Sequence, residues 1–181
     1  MKLLRGRRHA RWLSDADAAI QRGDFDAAVD LIQGVLDANA DNADALHLLG
    51  RIHFFREEFD AADELYTRLR SMDPSDDVAV ENLRQAHIRR GFHAREFGDL
   101  AETERYFLAA MEIDPTDAFV YYNLGCAYAD HHEERGEDAF RMWEKAVELQ
   151  PGYADAHFDL AQVYFHNGRY DDAYPHYEAL V

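Results

Sequence analysis

Tyr121-Tyr122-Asn123-Leu124-Gly125-Cys126-Ala127-Tyr128, followed by Ala139-Phe140-Arg141-Met142-Trp143 and then by Pro151, is the stretch that decides the fold. Tyr121, Leu124, Gly125 and Tyr128 fall on one face of a helix, because residues three and four apart are neighbours on its surface. Ala139, Trp143 and Ala146 repeat that spacing on a second helix. Pro151 then ends it, since proline lacks an N–H and crowds the preceding turn.

Working outward, the same two-helix pattern recurs. Leu46, Leu49, Gly50 and His53 copy the first half, as do His157, Leu160, Ala161 and Tyr164, with a worn copy from Trp12 through Asp15 and Ala16. The second half recurs as Ala28/Ile32/Val35, Ala62/Tyr66/Leu69, Thr103/Phe107/Ala110 and Ala173/Tyr177/Leu180. Prolines follow at Pro74 and Pro115 as they do at Pro151. The lead residues 28, 62, 103, 139 and 173 are separated by 34, 41, 36 and 34 positions. A period near 34 marks a tandem array of helical hairpins. Gly50, Gly125 and Ala161 are expected to be small because the partner helix approaches them through Ala62, Ala139 and Ala173.

These residues resemble the tetratricopeptide repeat family, whose pattern W-x2-L-G-x2-Y, then A-x3-F, then P is matched by Tyr121, Leu124, Gly125, Tyr128, Ala139, Trp143 and Pro151. The resemblance runs from about residue 9 to the end and implies an all-α, right-handed α-solenoid of about five antiparallel helix pairs. The repeats would span about 9–42, 43–76, 77–117, 118–153 and 154–181, behind a basic arm at 1–8. Stacking is what stabilises such arrays, because one hairpin cannot bury its apolar face alone.

Three repeats depart from the pattern. The third is seven residues too long, and either Leu83-Arg84 or Arg90-Gly91 can stand for the Leu-Gly pair. Seven residues are close to two helical turns, with only about 20° of drift. The expectation is one long first helix from about Asp77 to Phe97, with Gly91 as the small contact residue. The fourth repeat has two extra residues in a turn at 130–136. The last repeat stops at Val181 with no polar capping helix, so a longer parent protein or a partner covering the open end is expected.

Composition narrows the function. The chain has 181 residues, 48% hydrophobic, with a formal charge of −17. Lys2, Arg5, Arg7, Arg8 and Arg11 stand without an acid in the first eleven residues, so the remainder holds 14 basic against 36 acidic groups, a body near −22. That field opposes phosphate backbones, and nucleic acid is not an expected partner. No apolar run is long enough to span a bilayer, and the charged start does not suit a signal peptide, which makes a cytoplasmic protein the expectation.

No catalytic signature or phosphate loop is present, so the chain is expected not to be an enzyme and to need no cofactor or metal. His53 and His157 stand where tyrosines stand in other repeats and read as packing residues. Asp130-His131-His132-Glu133-Glu134 has metal-binding atoms, but adjacent histidines in a loop do not converge on one ion as histidines one turn apart can. Cys126, the single cysteine, reads as an inert thiol on a helix face.

By resemblance, the first helix of each repeat lines a concave groove that holds a peptide or partner protein. His47, Arg51 and Phe54 would contribute from the second repeat, and Asn82, Gln85 and Arg89 from the third. Tyr122, Asn123 and Cys126 would contribute from the fourth, and Phe158 and Gln162 from the fifth, with Leu13, Asp17 and Phe165 beside them. Some family members grip a terminal carboxylate with lysine and asparagine. Asn82 and Asn123 are present here without the lysines. The expected ligand carries apolar anchors and at least one acidic group, held mainly between repeats two and four. Self-association through Tyr174, Tyr177 and Leu180 is also expected. The alternative is the repeat module of a larger enzyme such as a transferase.

Overall fold

The computed structural model describes residues 2–181, and for residues 2–6, 132 and 133 the backbone alone. The side chains of Lys2 and Arg5 in the basic arm, and of His132 and Glu133 in the candidate metal segment, therefore lie outside the described residues. Ten helices and no strand are present among the described residues. They run as five hairpins. These are α1 (Lys2–Gln21) with α2 (Phe25–Leu36), α3 (Ala43–Phe55) with α4 (Phe59–Met72), α5 (Asp77–Glu96) with α6 (Leu100–Ile113), α7 (Ala118–Ala129) with α8 (His132–Leu149), and α9 (Ala154–His166) with α10 (Tyr170–Glu178).

Local chemistry sets the joints. Gly23, Gly98 and Gly168 each adopt positive φ five residues before the small residue of the second helix, a conformation that costs glycine least. Glu57 takes the same left-handed place in the second hairpin, at φ 60. Between hairpins, Asp73 and Asp114 each accept from the backbone N–H and the hydroxyl two residues on, Ser75 and Thr116. Asp76 and Asp117 then cap the next helix, accepting from the N–H groups of Ala79 and Phe119. The Asp-Pro-Ser/Thr-Asp motif thus folds as a turn and a helix start together.

The fourth hairpin corrects the expected turn at 130–136. Helix α8 begins at His132, so most of that segment is helical and α8 reaches 18 residues. Arg135 holds the added turn in place, bonded to Asp138 three residues on at 2.6 Å and to Glu104 of α6 at 3.2 Å.

The chain divides into two compact units, residues 1–86 and 87–181. In the first, Ala16, Ala19 and Ile20 of α1 pack with Ile32 and Val35 of α2 and with Ala45 and Ile52 of α3. In the second, Phe107, Leu124, Trp143 and Leu160 form the centre of the core. The expected trios are its walls: every member of the first four is at most 6% exposed. In the fifth, Ala173 is buried but Tyr177 and Leu180 are 36% and 38% exposed, with no described helix packed over them.

Gly50 and Gly125 are met most closely by an aromatic ring of the second helix, not by its small residue. A Cβ on Gly50 would lie 2.8 Å from the Tyr66 ring, on Gly91 2.9 Å from Phe107, and on Gly125 2.6 Å from Trp143. The aromatic residue of each second helix fills the space the glycine leaves. Ala139 contributes only its backbone carbonyl, 3.1 Å from the same point. The contact also selects the third-repeat register, placing Gly91, not Arg84, under the ring.

The last hairpin is fastened by two histidines. His157 Nε2 lies 2.9 Å from the Pro151 carbonyl, which can only accept, so that nitrogen carries the hydrogen and Nδ1 is left as an acceptor. His176 Nδ1, 2.9 Å away on α10, donates to it. The His176 ring also stacks on Tyr164, at 5.6 Å between centroids. Burial of His176, and then the neighbouring His157, push its pKa below the ordinary 6.5, while Asp172 acts in the opposite direction.

Two outcomes follow from these contacts. Gly125→Ala should destabilise the protein by about 1–3 kcal/mol through overpacking, whereas Gly136→Ala, with nothing within 4 Å, should stabilise α8 by about 0.5–1 kcal/mol through helix propensity. Urea unfolding of both variants checks the pair of signs. For the second, the unfolded chain takes a proton on His176 near pH 6.5 and the docked hairpin resists it, so docking of α10 is fully stable above that pH and weakens as pH falls below it. Amide protection factors across 173–178, taken relative to the intrinsic exchange rate at each pH, should fall between pH 7.5 and 5.5, and His176→Phe should flatten the dependence.

Candidate functional site

The first helices of the hairpins, α1, α3, α5, α7 and α9, carry the expected site residues, and each unit presents its own share. In the first unit, Arg51 of α3 reaches Asp17 of α1 at 2.7 Å, both a little over one-third exposed. His47, one turn earlier, meets Asp76 at the start of α5 at 2.7 Å, with both side chains mostly covered. Burial raises the Asp76 pKa, but the Ala79 N–H and His47 outweigh it and the carboxylate stays below its ordinary value. Phe54 packs edge-on against Phe55 and Phe59. Asn82 and Gln85 of α5 are half-buried, and the Gln85 amide donates to Glu81.

The Arg51 guanidinium is already neutralised by Asp17. His47 is likewise engaged.

In the second unit, the face of α7 and α9 is built mainly from aromatic and neutral residues, with Asp155 and Asp159 of α9 as its acids. Helix α7 has no charged side chain in its twelve residues. Tyr122 stands at its centre: its hydroxyl donates to Asp159 of α9 at 3.1 Å, and its ring lies 5.1 Å from that of Tyr153. Cys126, one turn on from Tyr122, has its thiol pKa pushed up, chiefly by burial, so it remains protonated at neutral pH. Burial also raises the Tyr122 and Asp159 pKa values. Arg95, at the end of α5, is paired with Asp130 at 2.7 Å. Arg89 is exposed and makes no ion pair among the described residues.

Phe158 and Phe165 of α9 are 46% and 51% exposed, and Gln162 between them is half-buried. Asn123 is the exception among the expected residues. It is 8% exposed and its amide donates to the Phe119 carbonyl one turn back, which withdraws it from the surface. A separate cleft of about 800 Å³ between α8 and the α9–α10 hairpin, floored by Phe140 and Tyr164, shares no residue with this face.

Asp159 is the residue that reading the sequence missed. The signal was present: Tyr122 and Asp159 are 37 positions apart, close to one repeat, just as Asp17 and Arg51 are 34 apart and Arg95 and Asp130 are 35 apart. Residues one period apart on neighbouring first helices face each other. No group of three or more His, Cys, Asp or Glu that could hold an ion occurs among the described residues, which leave out the side chains of His132 and Glu133 in the histidine segment.

Comparison with known proteins places this geometry. A tetratricopeptide repeat profile matches residues 19–86 and 130–181, and a second of the same description matches 106–137. A peroxisomal targeting signal receptor of Candida glabrata is 28% identical over 112 residues, 62% of this chain and 17% of that protein. The human protein O-mannosyl-transferase TMTC3 is 27% identical over 123 residues, 68% of this chain and 13% of that protein. The chain therefore spans less than one-fifth of the length of these relatives. The crystal structure of MamA protein superposes with a TM-score of 0.61 at 22% identity, over 97% of this chain and 91% of that one, a likeness of fold. With profiles of one description matched over most of its length and five helical hairpins at the repeat period, the chain belongs to the tetratricopeptide repeat family.

Proposed function

We propose that this chain is an interaction scaffold or adaptor that holds a peptide or partner protein against the exposed face of its first helices. The observation that carries this is the surface of α7 and α9, where Phe158 and Phe165 of α9 stand about half exposed and Tyr122 of α7 is half-buried, on helices whose opposite faces are buried. Large aromatic surface left open on a rigid support is what concentrates binding energy at interfaces. The relative from Candida glabrata is named a receptor for a targeting signal, which is consistent with peptide recognition by such repeats.

The ligand supplies apolar anchors to this aromatic face and an acidic group to Arg89, a groove cation with no ion pair among the described residues. The strongly acidic body disfavours nucleic acid. Among the described residues no helix is long and apolar enough to cross a membrane, which accords with a cytoplasmic setting. The exposed edge of α10, with Tyr174 at 63% exposure beside Tyr177 and Leu180, supports self-association through that hairpin.

A second reading, the repeat module of a larger transferase, has in its favour the name of the human relative. The match covers 13% of that protein, and the open aromatic face favours the adaptor reading.

The test is affinity capture followed by binding of the identified partner to purified variants. Tyr122→Ala and Arg89→Ala should each weaken binding about tenfold, roughly 1.4 kcal/mol. Arg51→Ala should have a smaller effect, since its charge is already matched by Asp17. Parent-like binding by all three would exclude this face. Sedimentation equilibrium should show dimerisation that Tyr174→Ser with Leu180→Ser reduces; a strict monomer at high concentration would remove the self-association.

A further inference from the structure

We propose that Asp159 anchors a basic side chain, arginine or lysine, of the peptide held along α7 and α9. This rests on the peptide-binding reading and adds a charge requirement to it.

The inference begins with how carboxylates on the first-helix faces are neutralised. Asp17 meets Arg51, Asp76 meets His47 and Asp130 meets Arg95, each at 2.7 Å. Asp159 is partly buried in the same kind of position, yet it faces the Tyr122 hydroxyl. Its other oxygen, Oδ1, accepts no hydrogen bond among the described residues. A neutral hydroxyl satisfies one lone pair and leaves the charge uncompensated, a costly state for a carboxylate drawn away from water.

Asp159 makes no ion pair among the described residues. Helix α7 has no ionisable base in its sequence, and Asp155, one turn earlier on α9, adds a second negative charge. The two histidines of α9 are engaged elsewhere, His157 with Pro151 and His176, and His166 with the Gln162 carbonyl. Burial and Asp155 both raise the Asp159 pKa, as expected for an anion lacking a cation.

The surroundings suit a cation on an apolar stem. The Tyr122 hydroxyl meets the carboxylate and its ring lies against that of Tyr153, while Phe158, the residue preceding Asp159, is about half exposed. An arginine or lysine can lay its methylenes along these rings and bring its charged end to Oδ1, gaining a charge-assisted hydrogen bond and ring contact together. An acidic side chain here would meet Asp159 and Asp155 and be repelled.

The experiment uses the full chain and pools of synthetic nine-residue peptides with the central position held as arginine, lysine, glutamate or leucine. The parent should retain the arginine and lysine pools about tenfold better than the glutamate pool. Asp159→Asn, close in shape, should lose that preference while still binding the leucine pool. Tyr122→Phe, which removes the one hydrogen bond to the carboxylate among the described residues, should keep or strengthen it, and circular dichroism confirms that both variants are folded. The same residue preference in parent and Asp159→Asn, or a preference for glutamate, overturns this proposal alone. Failure of every pool to bind removes the peptide-binding reading and this proposal together.

Discussion

An aromatic ring lying where a side chain is missing is the contact on which the hairpins depend. Tyr66, Phe107 and Trp143 each rest on a glycine of the partner helix, too close for even a methyl group. Glycine inside a helix costs about 1 kcal/mol relative to alanine, and burying a large apolar side chain returns about 1.5–3 kcal/mol. The exchange favours the glycine only when the ring is present. This couples the two halves of the repeat pattern: the Leu-Gly pair and the Ala-x3-aromatic trio are two sides of one contact. At the first hairpin the arrangement is reversed, with Trp12 of α1 against Gly34 of α2. The contact persists although the helices have exchanged roles.

Once the helices are set by that contact, positions one repeat apart on adjacent first helices are brought opposite each other. This organises the exposed polar groups. Most are consumed internally: Arg51 by Asp17, His47 by Asp76 and Arg95 by Asp130. Partly exposed pairs of this kind contribute little stability, about 0–1 kcal/mol each, but they determine which charges remain for a ligand. What is left is mostly aromatic surface, with Arg89 in one place and Asp159 in another. Recognition by such a face depends more on shape and apolar contact than on the net charge of the chain.

The repeat pattern made the helices and the core legible because it is local. The trios, the lengthened α5 and the choice of Gly91 all rest on spacings within one helix or one hairpin, and packing enforces those spacings. The site was less legible. Asn123 sits one residue from Tyr122, yet the helix turns it inward, and small differences in helix phase decide such cases. The Tyr122–Asp159 and His157–His176 contacts link different helices and leave no short motif; only the repeat period points to the first of them. The early start of α8 was hidden because histidine and glycine weaken the helical signal there, while Arg135 stabilises it through Glu104 on another helix.

The extra residues of α5 show how such an array can change length. Seven residues add about 10.5 Å of helix and return Gly91 almost to its original angle, so Phe107 still finds its seat. One or two residues would instead rotate the glycine by about 100–200° and present a bulky side chain to the ring. Growth within a first helix is therefore quantised in near-whole turns, and the ring on the partner helix acts as the gauge. Evolution, or a protein engineer, can lengthen the exposed face in such steps while leaving every packing residue as it was.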